Sequence, residues 1–189
     1  MTMLKKYISI MRGAALGALL LCGASLPAQT TASGVINGSL NNTSGISIQF
    51  DSDPAGVTLG AAGTNAATAN FGTVSAFGAL AAGVTRPSVT AANFTVRTIF
   101  DVQVISGGLT STSYTLTANL AAAAPTGMNY KVDAVTLTTA AQTIQVNGAY
   151  NTDIAHNLDL VILTAAPGAG GPAVNTPITT TINFTATAN

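Results

Sequence analysis

The side chains that could carry acid–base or nucleophilic chemistry are few in this sequence. Its 189 residues contain one histidine, one cysteine and six acidic residues, all of them aspartate. The histidine, His156, lies between Asp153 and Asp159. A catalytic serine needs a histidine beside it in a structured pocket, and no nucleophile-elbow motif accompanies His156. We therefore interpret His156 as a surface or turn residue, and we predict no catalytic residue and no enzymatic activity.

Metal ligands are equally scarce. One histidine and one cysteine cannot form the three- or four-ligand set of an ordinary zinc site. Calcium prefers carboxylate and carbonyl oxygens, and Asp51 and Asp53 place two carboxylates in the turn at 51–56. A complete calcium loop needs further acidic ligands, and aspartates in such a turn commonly bond to the backbone. The sequence predicts no metal and no cofactor, with Asp51 and Asp53 as the only calcium candidates.

The first 28 residues have the pattern of a secretory signal peptide. Basic residues precede an uncharged apolar run at 13–24, and the small residue Ala28 ends the segment. The run is shorter than the roughly 20 residues that a helix needs to cross a bilayer. Leu21 stands before Cys22, where a lipoprotein signal requires a small residue. We predict cleavage after Ala28 and export to the periplasm, the cell surface or the extracellular medium.

The charge that remains after cleavage restricts the possible partners. Three basic residues face six aspartates, a net charge of about −3. No lysine or arginine cluster is present that could neutralise phosphates, so we predict no nucleic-acid partner. No later segment is long and apolar enough to be a transmembrane helix, so we predict none in the mature chain. About 160 residues suffice for one domain to bury a core without disulfides.

Alternation of apolar and polar residues indicates that the elements carrying these side chains are β-strands. Thr, Asn, Gly and Ala are abundant, a composition that suits strands joined by tight turns. At 178–188 the even positions are mostly apolar and the odd positions are Thr or Asn. The same alternation runs through 94–104 and 114–120, on either side of a Gly-Gly pair at 107–108. These two segments are therefore predicted to form a hairpin.

The remaining strands complete an all-β prediction, and no segment shows helical periodicity. They are expected at 45–50, 69–77, 129–138, 143–147 and 157–163. About seven to eight short strands predict an antiparallel β-sandwich with immunoglobulin-like or pilin-like connectivity.

The chain is divided by these patterns into three parts. Residues 1–28 are assigned to the signal peptide and residues 43–189 to the β-sandwich domain. Residues 29–42 between them are either a flexible N-terminal arm or the first strand of the domain.

Two segments resemble bacterial pilin-like secreted β-sandwich families, including spore coat protein U-like and fimbrial-subunit-like domains. They are residues 69–74, with the sequence ANFGTV, and residues 181–188, with the sequence TINFTATA. In those families an early strand often carries an Asn-Phe-Gly or Asp-Phe-Gly element, and the last strand alternates. The resemblance implies assembly by strand donation, in which a segment of one subunit completes the sheet of the next. Val35, Ile36 and Leu40 are the apolar residues that could dock in this way.

Together these patterns favour a structural or adhesive role. We expect an exported, non-catalytic structural subunit of a fimbria, coat or cell-surface layer that self-assembles into a homo-oligomer or fibre. The alternative is a secreted adhesin or ligand-binding module that reads a glycan or a host protein with its loops. Sugar sites commonly stack on exposed aromatic rings, and the chain has no tryptophan, which favours the structural role.

Overall fold

The computed structural model describes residues 30–40, 45–164 and 177–189, so the predicted signal peptide at 1–28 lies outside it. The described ranges contain eleven strands. They are β1 (Thr30–Leu40), β2 (Ile46–Ser52), β3 (Ala66–Val74), β4 (Thr85–Val89), β5 (Asn93–Ser106), β6 (Tyr114–Leu120), β7 (Met128–Val132), β8 (Val135–Thr136), β9 (Gln142–Gly148), β10 (Asp153–Leu163) and β11 (Pro177–Ala188). Nothing within these ranges is a helix of the length and apolar character needed to cross a membrane.

The strands form two sheets, and the all-β sandwich prediction is confirmed. Sheet A has the order β3-β1-β11-β6-β9, and sheet B has the order β2-β5-β10-β7-β8. In sheet B, β2 pairs with the second half of β5, and β4 pairs with its first half. All named strand pairs are antiparallel except that of β1 with β11, which is parallel. A sandwich that was predicted to be antiparallel therefore contains one parallel pair.

The core lies between the sheets and is centred on three phenylalanines. Phe50 of β2 and Phe100 of β5 belong to sheet B, and both rings meet Phe184 of β11 in sheet A. The ring centroids of Phe50 and Phe100 lie 5.5 and 5.8 Å from that of Phe184. All three side chains are fully buried. Alternation along each strand accounts for this buried core, because every second side chain of both sheets points inward.

The predicted hairpin between residues 94–104 and 114–120 is wrong. The first segment lies within β5 of sheet B, and the second is β6 of sheet A, where it pairs with β11 and β9. The connection between them therefore crosses from one sheet to the other. Alternation shows which face of a strand is buried, but both sheets face the same core, so alternation cannot show which strands pair.

The strand count exceeds the predicted seven to eight for local reasons. The predicted strand at 129–138 is divided into β7 and β8 by Asp133 and Ala134, whose φ angles are 49° and 71°. The strand β4 was not predicted because Pro87 interrupts its pattern; proline is tolerated there because β4 lies at a sheet edge. Within the segment at 29–42, residues Thr30–Leu40 form the strand β1.

Candidate functional site

The first strand occupies an interior position in sheet A. One side of β1 pairs antiparallel with β3, and the other side pairs parallel with β11, from Thr31 beside Pro177 to Leu40 beside Ala186. No other named strand pairs with β3. If β1 were withdrawn, β3 and β11 would each present an unpaired row of backbone groups. The space that β1 fills is therefore a slot bounded by strands on both sides, which we call the β1 slot.

The register of β1 is determined by one large side chain and one glycine. Ile36 is fully buried in the core. Two residues further, a Cβ added to Gly38 would lie 3.0 Å from the Cβ of Ile48 on β2. The N–H of Gly38 donates to the carbonyl oxygen of Asn65 at 2.6 Å. Of the predicted docking residues, Ile36 thus lies inside, Val35 is half-buried, and the side chain of Leu40 is not described.

The interpretation of His156 as a surface or turn residue is wrong. His156 lies on β10 with 2% of its surface exposed, and its ring centroid is 6.1 Å from that of Phe100. Its Nδ1 lies 2.5 Å from Oδ2 of Asp133. The predicted strand begins at residue 157, whereas β10 begins at Asp153, and its alternation turns position 156 inward with Leu158. The sequence shows the histidine, but it does not show that Asp133, 23 residues away, is its partner.

Asp133 links the β7–β8 turn to β10. Its Oδ1 accepts a hydrogen bond from the N–H of Asn157 at 2.8 Å, and its own N–H donates to the carbonyl oxygen of Asn157 at 3.0 Å. Partial burial acts to raise the pKa of Asp133, but the bonds to His156 and Asn157 outweigh it, and the pKa is lowered. On the other side of the ring, Nε2 of His156 is buried and contacts no hydrogen-bond partner among the described residues.

The calcium candidates Asp51 and Asp53 lie near two further aspartates. Asp51 of β2 stands directly opposite Asp101 of β5. The pKa of Asp101 is raised, first by partial burial and then by the negative charges of Asp53, Asp153 and Asp51 and a hydrogen bond with Asp53. Asp53 also accepts the N–H of Ala55 at 2.6 Å, as expected for a plain turn. In the described ranges, no three His, Cys, Asp or Glu side chains are arranged to hold a metal ion.

Charge is distributed very unevenly between the two sheets. The nine charged side chains of the described residues all lie on strands of sheet B or in the turns next to them: Asp51, Asp53, Arg86, Arg97, Asp101, Lys131, Asp133, Asp153 and Asp159. Arg97 and Asp159 form a two-bond pair at 2.6 and 2.8 Å. None of the five strands of sheet A contains a charged residue.

The outer face of sheet A instead carries rows of amide and hydroxyl side chains. Asn37, Asn183 and Asn119 lie side by side on β1, β11 and β6. The next row, on β11, β6 and β9, contains Thr185, Thr117 and Thr143. Such pairs on one face of a sheet interact favourably across the strands. Sequence alternation indicated polar positions along each strand, but the rows arise from the order in which the strands pair.

Among the described residues, His156 bonds to Asp133, and no nucleophile is bonded to its ring. The Nε2 of His156, to which a nucleophile would bond, is buried without a partner among the described residues. The geometry that remains distinctive is the β1 slot and the charge-free side of sheet A. No model of a known protein family matches this chain, and no curated protein matches it either.

Proposed function

We propose that this protein is an exported, non-catalytic structural subunit of a fimbria-like or coat-like surface assembly. In the assembly, β1 of one copy fills the β1 slot of another copy. The observation that carries the proposal is the position of the first strand, which lies inside sheet A between β3 and β11 rather than at its edge. A strand near the start of the chain that completes the interior of a sheet has the geometry that strand donation requires.

Exchange of β1 between copies would preserve the contacts that hold it. The backbone ladders with β3 and β11, the burial of Ile36 and the close approach of Gly38 to Ile48 are the same whichever copy supplies the strand. The balance between the two arrangements then depends on protein concentration.

The non-catalytic part of the proposal is supported by the surroundings of His156. The Asp133–His156 pair has the orientation of the acid and base in a catalytic triad, but it ties a turn to a strand. Its free nitrogen is buried and has no partner among the described residues. A hydrolase screen in which changing His156 to alanine abolished turnover would contradict this part of the proposal.

Cysteine cross-linking tests which copy supplies β1. Val35 and Thr181 are neighbours on β1 and β11, and residues 29–189 contain no cysteine. Cysteines at these two positions are Cα partners on paired strands, and strand spacing of about 5 Å lies within the separation that a disulfide can span. We expect oxidation of assembled Val35→Cys/Thr181→Cys protein to give a ladder of covalent oligomers on a non-reducing denaturing gel. Mixed single-cysteine variants carrying different tags should give a disulfide-linked heterodimer.

The control places the cysteines on two strands that stay within one copy. Thr117→Cys/Thr185→Cys joins β6 to β11 and should give only monomers. A monomeric product from both double variants, with no heterodimer from the mixed single variants, would overturn strand exchange. Continued assembly of a chain that begins at Thr43 would do the same, because that chain lacks β1.

A further inference from the structure

Three of the four sheet edges are protected against pairing with another chain. The outer side of β3 pairs with Gly60, which exchanges two 2.9 Å backbone hydrogen bonds with Thr68. The outer side of β2 pairs at Phe50 with the loop at residues 63–64, at 2.8 and 2.9 Å. The strand β4, on the same edge, contains proline and arginine, and β8 is only two residues long. Loop cover, proline, charge, shortness and β-bulges are devices that prevent edge-to-edge association.

The fourth edge, β9, lacks most of these devices. Its seven residues, QTIQVNG, include no proline and no charged residue. Apart from its pairing with β6, it makes no backbone hydrogen bond to another described segment. Two register shifts, which are β-bulges or irregularities, bend it relative to β6, and Val146 lies in the shift between Gln145 and Gly148. Val146 is 62% exposed, an apolar side chain held out on an unpaired edge.

The distribution of charge indicates which side of the protein can contact a second copy. The described residues carry a net charge of about −3, and all six aspartates lie on the side of sheet B. The sheet B side carries six aspartates against three basic residues, so two copies that approached through it would bring two net negative surfaces together. Two copies that approach through sheet A meet no such repulsion, because its strands have no charged residue. Repulsion on one side therefore directs association between copies to the other side.

We propose that copies of this protein associate through the charge-free side of sheet A, with β9 and Val146 at the contact, so that the partner is a second copy of the chain. Antiparallel pairing of β9 with the β9 of the second copy is compatible with two-fold symmetry and would continue sheet A across both subunits. This contact rests on the proposed structural role but uses an edge that strand exchange leaves open.

A matched pair of valines tests the contact. Val146 on β9 and Val89 on β4 are both exposed valines on edge strands, one in each sheet. We expect Val146→Lys to weaken self-association, measured by sedimentation equilibrium, by about tenfold or more, because each copy would bring a lysine to an otherwise uncharged contact. Val89→Lys should leave the dissociation constant unchanged. Both variants should keep the wild-type circular dichroism spectrum and melting temperature.

The salt dependence of association distinguishes two causes of weaker association in Val146→Lys, charge repulsion at the contact and loss of folded structure. Association of the wild-type protein should not weaken as sodium chloride is raised, because its contact carries no charge. Association of Val146→Lys should recover partly with salt, and Val146→Asp should behave in the same way. Equal effects at Val146 and Val89, no effect at Val146, or a wild-type protein that stays monomeric at all concentrations would overturn the proposal. Monomers retained on a neutral polysaccharide column, and released by Val146→Lys, would identify a glycan as the partner instead.

The two proposals fail separately. Oligomers that Val146→Lys dissociates, but whose β1 cross-links remain within one chain, would support the β9 contact and overturn strand exchange. Cross-links of β1 between copies, in oligomers that Val146→Lys leaves intact, would support strand exchange and overturn the β9 contact.

Discussion

The ring of Tyr114 lies directly against the backbone of Gly148, its neighbour across β6 and β9. A Cβ added at position 148 would lie 2.3 Å from Cζ of the ring, far closer than a real contact. Tyr114 is fully buried, and burial raises the pKa of its hydroxyl to about 12. The absence of a side chain at Gly148 is therefore what lets a large aromatic ring fill this end of the core.

Gly148→Ala is expected to destabilise the protein by about 1–3 kcal/mol, because the buried ring of Tyr114 has to move. The measurement is the free energy of unfolding from urea denaturation. Gly60→Ala is the control, since a Cβ there would meet Thr68 at an ordinary 3.6 Å. Equal losses of stability in the two variants would show that the ring contact is not the cause.

The hydroxyl of Thr98 holds two loops against β5. It accepts the N–H of Val57 at 2.9 Å and donates to the carbonyl oxygen of Gly83 at 3.1 Å, and the residue is 1% exposed. Thr98→Val leaves both groups without this partner and should lower the free energy of unfolding by about 1–3 kcal/mol. Thr98→Ser keeps the hydroxyl and should recover most of that loss. A serine variant as unstable as the valine variant would contradict this role.

Asp101→Asn is expected to stabilise the protein at pH 7 by about 0.2–1 kcal/mol, because Asp51 stands directly opposite. The pKa of Asp101 is raised above its ordinary value of 3.8, so between these two pKa values the folded protein binds more protons than the unfolded chain. The stability of the wild-type protein therefore falls as pH rises from 3.8 through the raised pKa. The advantage of the variant should shrink as pH falls towards 3.8, which thermal denaturation across a pH series measures. A constant difference at all pH values would contradict this electrostatic cause.

Asp133→Asn should have the opposite effect and destabilise the protein by about 1–3 kcal/mol at pH 7, because His156 loses its charged partner. Asparagine tolerates the φ of 49° at this position, so backbone strain does not change. The pKa of Asp133 is lowered, so its stabilisation is complete above the ordinary value of 3.8 and is lost as pH falls below it. The loss caused by the variant should therefore shrink in acid. A stabilised variant at pH 7 would contradict the pairing.

The strands were largely predictable because each buries one face, and that local requirement leaves a period of two in the sequence. The segments at 178–188 and 157–163 lie within β11 and β10. The predicted hairpin of β5 with β6 was wrong because alternation carries no information about which strands pair. The strand β4 was not predicted because its proline interrupts the alternation of apolar and polar residues. Burial of His156 was not predicted because the predicted strand begins at residue 157, whereas β10 begins at Asp153 and contains His156.

The candidate sites were less predictable than the strands because their members are distant in the chain. The calcium candidates Asp51 and Asp53 were visible as a pair, but their electrostatic partner Asp101 comes from another strand. The β9 edge had no signal of its own, because whether a strand is an edge depends on the order of the sheet.

The sequence by itself determined the all-β class, most strand positions and the scarcity of chemically reactive side chains, since these depend on composition and on residues a few positions apart. Only the tertiary structure decided that β1 lies between β3 and β11, that the charged side chains of the described residues all lie on the side of sheet B, and that β9 is left as an open edge. The physical reason is that strand pairing is a long-range choice. Backbone hydrogen bonds are alike for every strand, so the order of the sheets is selected by how all the buried faces pack into one core.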